Sequence, residues 1–348
     1  MAIRMSHFPF EAAGRLRPAS HVTVDTTGRR VCYQAGFTLL MIVALIYQAW
    51  KLVPAILNQP PAPLSSLLIA TLMPIGTLVL LSLIERLLPP AGPRKSLERW
   101  FIHLQINIFW AFAAGFLFSF ATLAASALAR HAGVSLGLID LRFAEGRGLL
   151  GLFAAVWVSA IIGDFFFYWY HRTLHTFHIL WQIHKMHHMD EELDVLTIFR
   201  DNWLDTLGSS LFSALPMALL FKLDALDPWE LGVLAGTGAT ALSTLLTLGH
   251  MNVRLQLGKA SWLFCSPQLH RIHHSRLPQH FDKNYAVVLP LWDVIFGTYL
   301  HPARDEFPPT GVPGETEFRS FWEAQTFTLR EWWKMFRAWR ERKSPSPS

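Results

Sequence analysis

The sequence predicts an all-α membrane protein: a bundle of about four spanning helices, joined by a further apolar pair, beneath a cytoplasmic cap rich in histidine. Three observations carry this reading. Of 348 residues, 52% are hydrophobic and only 16% charged, against about 25% charged in a soluble domain. Four apolar segments approach the roughly 20 residues that a helix needs to cross a bilayer. Eight histidines then fall into three tight clusters. These are His171 and His175; His184, His187 and His188; and His270, His273 and His274.

Residues 1–34 read as a polar cytoplasmic tail containing Arg4, Arg15, Arg17, Arg29 and Arg30. No cleavable signal peptide is expected, because the first long apolar run begins only near Ala35. Residues 35–147 supply three spans, near 35–57, 65–88 and 104–128, and a fourth follows near 148–170. Pro54 and Pro74 interrupt the first two, which membrane helices tolerate where neighbours satisfy the freed carbonyl. Asn58–Pro63 reads as a tight turn and Pro89–Pro93 as a break.

Charge sets the orientation. The tail and the second loop, with Arg86, Arg94, Lys95 and Arg99, are basic, whereas the first loop holds only Lys51. The positive-inside rule places tail and second loop in the cytoplasm, so four spans return the chain there at His171. The third loop weakens this reading without reversing it: Arg130, Arg142 and Arg147 are partly balanced by Asp140 and Glu145. Two further apolar runs, 205–222 and 231–249, read either as full spans or as a shallow hairpin. Both alternatives bring His250 back to the side of the first clusters.

Residues 251–348 read as a cytoplasmic cap, and 303–348 as its amphipathic C-terminal region. There Trp332, Phe336 and Trp339 share one helical face, with Arg330, Lys334 and Arg337 on the other. This pattern suits a helix in the membrane interface as well as one packed on the cap. The Ser-Pro tail from Ser344 is expected to be disordered.

Composition also excludes functions. The net charge is +5, without a long basic run, so nucleic acid is not an expected partner. Cys32 and Cys265 are too few for a disulfide framework, and Cys265 reads as a small packed residue. Histidines three or four apart on a helix share a face. Neutral imidazole is a common ligand for iron, zinc, copper and nickel. Eight such ligands are too many for one ion and point to two. Carboxylate-bridged di-iron proteins use Glu-x-x-His motifs, which do not appear here. A zinc hydrolase needs about three ligands and would leave most of these histidines unexplained.

The other histidines are weighed singly. His7, His21, His131 and His301 read as surface residues and His103 as interfacial. His178 falls on the helical face of His171 and reads as a hydrogen-bonding neighbour of the site. His280 is assigned no ligand role. Asp164 lies seven residues before His171 inside the fourth span. A buried carboxylate needs a partner, and metal-bound histidines usually donate their other nitrogen to one. Orienting a cluster histidine is its leading role, and pairing with Arg172 the alternative. Asp293 and Asn284 are weaker candidates of the same kind. Tyr168 and Trp169 read as packing residues.

The clusters carry a resemblance. Asp164-Phe-Phe-Phe-Tyr168-Trp-Tyr-His171-Arg-Thr-Leu-His175 resembles the first box of the fatty acid hydroxylase and sterol desaturase family. His184-Lys-Met-His187-His188 resembles the second, and Cys265-Ser-Pro-Gln-Leu-His270-Arg-Ile-His273-His274-Ser the third. Asp282-Lys-Asn284-Tyr285 and Trp292-Asp293-Val-Ile-Phe-Gly297-Thr-Tyr299 resemble the segment that follows. The likeness covers about residues 150–302, within a catalytic domain placed at 148–302. Leu248-Gly-His250-Met-Asn252 resembles the family's extra histidine region, which makes His250 a ninth ligand candidate. Asn252 stands where some members carry another histidine, and acts through water or caps a helix.

The resemblance implies two iron ions held by histidine, and O2-dependent oxidation of an unactivated C–H bond. The product is an alcohol or a double bond. The implied substrate is a lipid: a fatty acyl chain, a sterol-like lipid, a carotenoid or an ether lipid. In the last case the chain would be an ether-lipid monooxygenase. Electrons would come from an external ferredoxin, rubredoxin or cytochrome. Arg271, Lys283 and the basic terminal helix are the expected attractants for an acidic carrier. A histidine-rich membrane metal transporter or sensor is the competing class, but transport sites belong near the membrane midplane, whereas these clusters follow the spans.

Overall fold

The computed structural model describes residues 63–132, 136–140, 148–222, 241–315, 318 and 320–343. The expected tail at 1–34, the first span at 35–57, the loop at 223–230, the first part of the apolar run 231–249 and the Ser-Pro tail lie outside the described residues. Among the described residues the fold is helical, with isolated bridges Ile139–Phe221 and Ser275–Thr310 and no strand.

Helix α1 (Pro63–Leu87) contains Pro74, and α2 (Leu97–His131) is the longest element among the described residues. Helix α3 (Gly148–Thr176) follows, then the short α4 (His178–His188) and α5 (Trp203–Leu220). Residues 241–250 form α6, ending at His250. Helices α7 (Pro267–His273), α8 (Leu291–Phe296) and α9 (Phe321–Lys343) complete the cap.

Two of these helices are long and apolar enough to cross a membrane, Phe153–Thr176 within α3 and Trp203–Leu220. Only 28% and 29% of their apolar windows are buried, and Phe153, Ile161 and Trp169 on the first and Trp203, Leu211, Phe212 and Leu215 on the second are exposed. That is the arrangement a lipid-facing bundle needs.

Helix α2 ties the bundle to the cap because two of its faces are used. Trp100, Leu104, Ile108 and Ala111 pack with Ile75 and Leu78 of α1 and with Val195, Leu196 and Ile198. Ile106 and Trp110 pack with Met186 and Met189 at the end of α4 and with Phe318, Ala324 and Phe327 around α9.

Buried charge fixes the junction. Lys95 Nζ lies 2.8 Å from both Asp190 and Asp194 and donates to the Glu192 carbonyl at 2.5 Å. Burial alone would lower the Lys95 pKa, but Asp190 and then Asp194 outweigh it and raise it. Glu85 accepts from the amides of Val195 (3.1 Å) and Asn252 (2.6 Å). The Asn252 side chain receives the Gly92 amide at 2.8 Å and donates to the Pro93 carbonyl at 2.7 Å. Asn252 therefore staples the α1–α2 loop to the chain after α6, which accounts for its polarity without a metal. His103 was expected at an interface but is 3% exposed, stacked on Phe318.

Candidate metal centre

Local structure explains how the histidines converge. Helix α3 carries His171 and His175 one turn apart at its end. Extended Phe177 (φ −105°, ψ 118°) breaks the helix and turns the chain into α4. The buried residues of α4 include His184, His187 and His188. Ser266 caps α7 by accepting the Leu269 amide at 3.3 Å, with Pro267 at the helix start, and this helix carries His270 and His273.

All nine histidines are buried and fall into two groups. His171, His175, His184, His188 and His273 form one; His187, His250, His270 and His274 form the other. In each, the ligand atoms lie within 4.8 Å of one another. The partition follows helical geometry. Positions i and i+4 share a face, whereas adjacent residues point about 100° apart. His184 and His188 therefore serve the first group and His187 the second. In the third cluster the order is reversed: His270 and His274 serve the second group and His273 the first.

Hydrogen bonding decides what the first group is suited to hold. His171 Nδ1 donates to the Tyr285 carbonyl at 2.7 Å, and His273 Nδ1 to the Lys283 carbonyl at 2.9 Å. His184 Nδ1 donates to Asp205 at 2.8 Å. Carbonyl and carboxylate oxygens accept here, so the protons sit on Nδ1 and each Nε2 presents a bare lone pair. Yet His171 Nε2 lies 3.0 Å from Nε2 of both His184 and His273. Bare lone pairs repel at that distance unless a cation stands among them. His175 Nε2 and His188 Nε2 are buried with no hydrogen-bond partner. The residues present thus fit a metal ion.

The second group follows the same logic with fewer fixed protons. His250 Nδ1 donates to the Leu246 carbonyl at 2.8 Å, leaving its Nε2 to face His187 (3.3 Å) and His270 (3.0 Å). His274 Nε2 lies 3.1 Å from His270 Nε2. The Nδ1 atoms of His187, His270 and His274 are buried without a hydrogen-bond partner. Asp201 Oδ1 stands 3.6 Å from His187 Nδ1.

Electrostatics keeps six of the rings neutral. Burial, reinforced by neighbouring imidazoles, holds His187, His188, His270 and His274 well below the usual histidine range. Burial brings His250 down to about 4 and His273 to about 3. Neutral imidazole is the form that ligates a metal.

The residues expected beside the site are placed differently. The carboxylate that hydrogen-bonds a cluster histidine is Asp205, not Asp164. Asp164 instead accepts from the amides of Val288 (3.2 Å) and Leu289 (2.9 Å), holding the chain that leads into α8. Asp205 also accepts from Tyr170 Oη at 2.8 Å and opens α5 behind the Asn202 cap. The available signal was a carboxylate at the edge of an apolar run. The three backbone acceptors, Leu246, Lys283 and Tyr285, leave no trace in side-chain identity.

His178 is exposed and joins neither group. His280 pairs with Ser275 (2.9 Å) and Glu306 (3.0 Å). Tyr168 Oη bonds Thr298 at 2.9 Å within a buried aromatic cluster. Burial raises the Cys265 thiol pKa above its usual range, as suits a packed residue rather than a thiolate. Arg271 is 2% exposed and donates to the Pro308 carbonyl, so it is withdrawn from any carrier-docking surface.

Comparison with known proteins gives the centre a context. The Fatty acid hydroxylase family model matches residues 156–298. An ornithine lipid hydroxylase from Rhizobium tropici is 33% identical over 159 residues, covering 45% of this chain and 45% of that protein. An alkylglycerol monooxygenase from Homo sapiens is 35% identical over 147 residues, covering 41% of this chain and 30% of that protein. A very-long-chain aldehyde decarbonylase from Oryza sativa subsp. japonica is 26% identical over 165 residues, covering 44% and 24%. The chain thus spans less than half the length of each. No solved structure matches it.

Proposed function

We propose, from the match of residues 156–298 to the Fatty acid hydroxylase family model, that the chain is an integral-membrane, non-haem di-iron oxygenase that hydroxylates or desaturates a C–H bond of a lipid. The observation that carries this reading is the pair of buried imidazole groups, five and four strong, all inside the matched region. Two iron ions, when bound, would supply the O2-dependent redox chemistry that an unactivated C–H bond requires, with two electrons from an external donor of ferredoxin, rubredoxin or cytochrome type.

This chain's residues supply position and environment. Asp205 and the carbonyls of Lys283 and Tyr285 hold His184, His273 and His171 with Nε2 free of protons. Burial keeps His187, His188, His250, His270, His273 and His274 neutral and limits water at the site. The apolar outer surfaces of α3 and α5 suit a lipid substrate that approaches from the bilayer. A topology of four spans, with the histidine groups on the cytoplasmic side, is supported by the arginine-rich tail and second loop.

A second reading within the same chemistry is ether-lipid oxidation. It is favoured by the alkylglycerol monooxygenases among the relatives. Hydroxylation at an ether carbon yields a hemiacetal that releases an aldehyde. Lipid analysis of cells with and without the gene separates the outcomes: added oxygen, lost hydrogen or released aldehyde.

The test of the main reading is iron content and lipid oxidation in detergent-purified protein. Wild type should carry two irons per chain, and His187→Ala and His273→Ala should lose iron and turnover while still inserting. A reproducible single zinc, or full turnover in both variants, would sink the assignment.

A further inference from the structure

We infer that the turn Asp282–Tyr285 is a bracket that positions two histidines from different sequence clusters, and that Asn284 is its key positioning residue. The inference rests on the metal reading above and deepens it. The bracket presents two carbonyl oxygens, two residues apart, to one imidazole group. Lys283 O receives His273 Nδ1–H at 2.9 Å and Tyr285 O receives His171 Nδ1–H at 2.7 Å. Through these bonds one short segment fixes the ring orientation and the proton of a histidine on α7 and of another on α3.

The backbone of the turn is unusual. Among the described residues, Asp282 (φ 61°) and Asn284 (φ 55°) are the two non-glycine residues in the left-handed region. The φ of Asn284 rotates the peptide plane that carries the Lys283 carbonyl, so it directly aims the acceptor for His273. Left-handed backbone disfavours most side chains, and Asn and Asp tolerate it best because their short polar groups bond locally.

Asn284 also locks the turn in place. Its Nδ2 donates to the carbonyls of Leu269 (3.2 Å) and Leu300 (2.9 Å), and its Oδ1 accepts the Leu300 amide at 2.8 Å. Its own amide donates to the Thr298 carbonyl at 3.0 Å. Leu269 lies on α7 beside His270, so the bracket is tied to the helix that carries the third cluster. Asp293 adds a second tie by accepting from the amides of Tyr285 and Ala286, each at 2.8 Å.

Position 284 therefore asks for a left-handed backbone, two donors and one acceptor from a single short side chain. Asparagine meets all of these. Aspartate tolerates the backbone but would set carboxylate oxygens against two carbonyls. Glycine takes the backbone and ties nothing. The carbonyls of Lys283 and Tyr285 serve His273 and His171, both in the five-imidazole group, whereas in the four-imidazole group the one backbone-held ring, His250, takes its acceptor from Leu246 outside the bracket. Loosening the bracket should thus weaken one ion and spare the other.

The experiment compares wild type, Asn284→Gly and Asp293→Asn as full-length protein in nanodiscs, loaded anaerobically with iron-57. Bound iron is counted against a chelator series, Mössbauer spectra are recorded, and thermal unfolding monitors the fold. Asn284→Gly should stay folded and weaken one iron roughly 10–100-fold. Bound iron should drop from two per chain to about one under mild chelation, with one spectral component altered. Asp293→Asn should shift the same component, and it keeps the test open if Asn284→Gly does not fold. Two tightly held irons with unchanged spectra in the variants would overturn the bracket, as would equal loss of both. A wild-type chain that takes up no iron would instead overturn the oxygenase reading and the bracket with it.

Discussion

At His184 the ring is held by Asp205, and Asp205 in turn by Tyr170. Removing the negative charge at Asp205 should leave the ring free to take either tautomer. Asp205→Asn is expected to weaken iron binding roughly 10–100-fold, read as iron retained against a graded chelator. Gly208→Ala should act in the same direction, more weakly, because a Cβ there would sit 2.6 Å from Tyr170 Oη and displace the hydroxyl. Wild-type retention in Asp205→Asn would remove this residue from the account. Lys95 serves the fold rather than the metals. Replacing it with Met strands Asp190 and Asp194 in the interior and should cost about 3–5 kcal/mol, seen as a lower denaturation midpoint. The sign with pH follows from its raised pKa. Its stabilising contribution is fully present below the unfolded value of 10.5 and is lost as pH rises through the higher folded value. Wild type should thus lose more stability than Lys95→Met across that alkaline window.

At the scale of elements, α9 has two halves with different duties. Its first half docks on the cap. Ala324 and Phe327 are buried, Thr328 donates to the Gln182 carbonyl at 2.9 Å, and Glu331 pairs with Lys185 at 2.9 Å. Trp332 donates to the Ile179 carbonyl at 2.7 Å and so turns to the cap, leaving Trp333 in the outward stripe where Trp332 was expected. Trp333, Phe336 and Trp339 stack outward, with ring centroids 5.6 Å and 5.9 Å apart, beside exposed Lys334 and Arg337. At its start, Phe321 meets Phe109, an outward residue of α2, at 5.2 Å. This continuity with the outer face of the bundle, together with the positive charge, fits an anionic membrane surface. A spin label at Phe336→Cys in cysteine-free protein should be relaxed strongly by O2 and weakly by a water-soluble nickel chelate. The reverse order would place the stripe in water.

For the whole molecule, the metals should behave as part of the fold. Nine buried imidazoles meet in two groups, and in the first the lone pairs face one another at 3.0 Å. Chelation should therefore lower the unfolding temperature of wild type. A ligand hundredfold above its dissociation constant stabilises by about 2.7 kcal/mol. Equal melting of apo and loaded protein would contradict this coupling. The sequence by itself determined that the fold is helical and apolar and which nine histidines gather, because helical spacing and hydropathy are properties of local chain. It also carried the doubled His187-His188 and His273-His274 pairs, whose adjacent rings diverge by helical geometry and so must serve separate groups. Only the tertiary structure decided that Asp205 rather than Asp164 meets a histidine, that Asn252 is a staple, and that two carbonyls between Asp282 and Tyr285 place protons. Those roles depend on which surfaces pack together after folding, and a backbone carbonyl is the same in every residue.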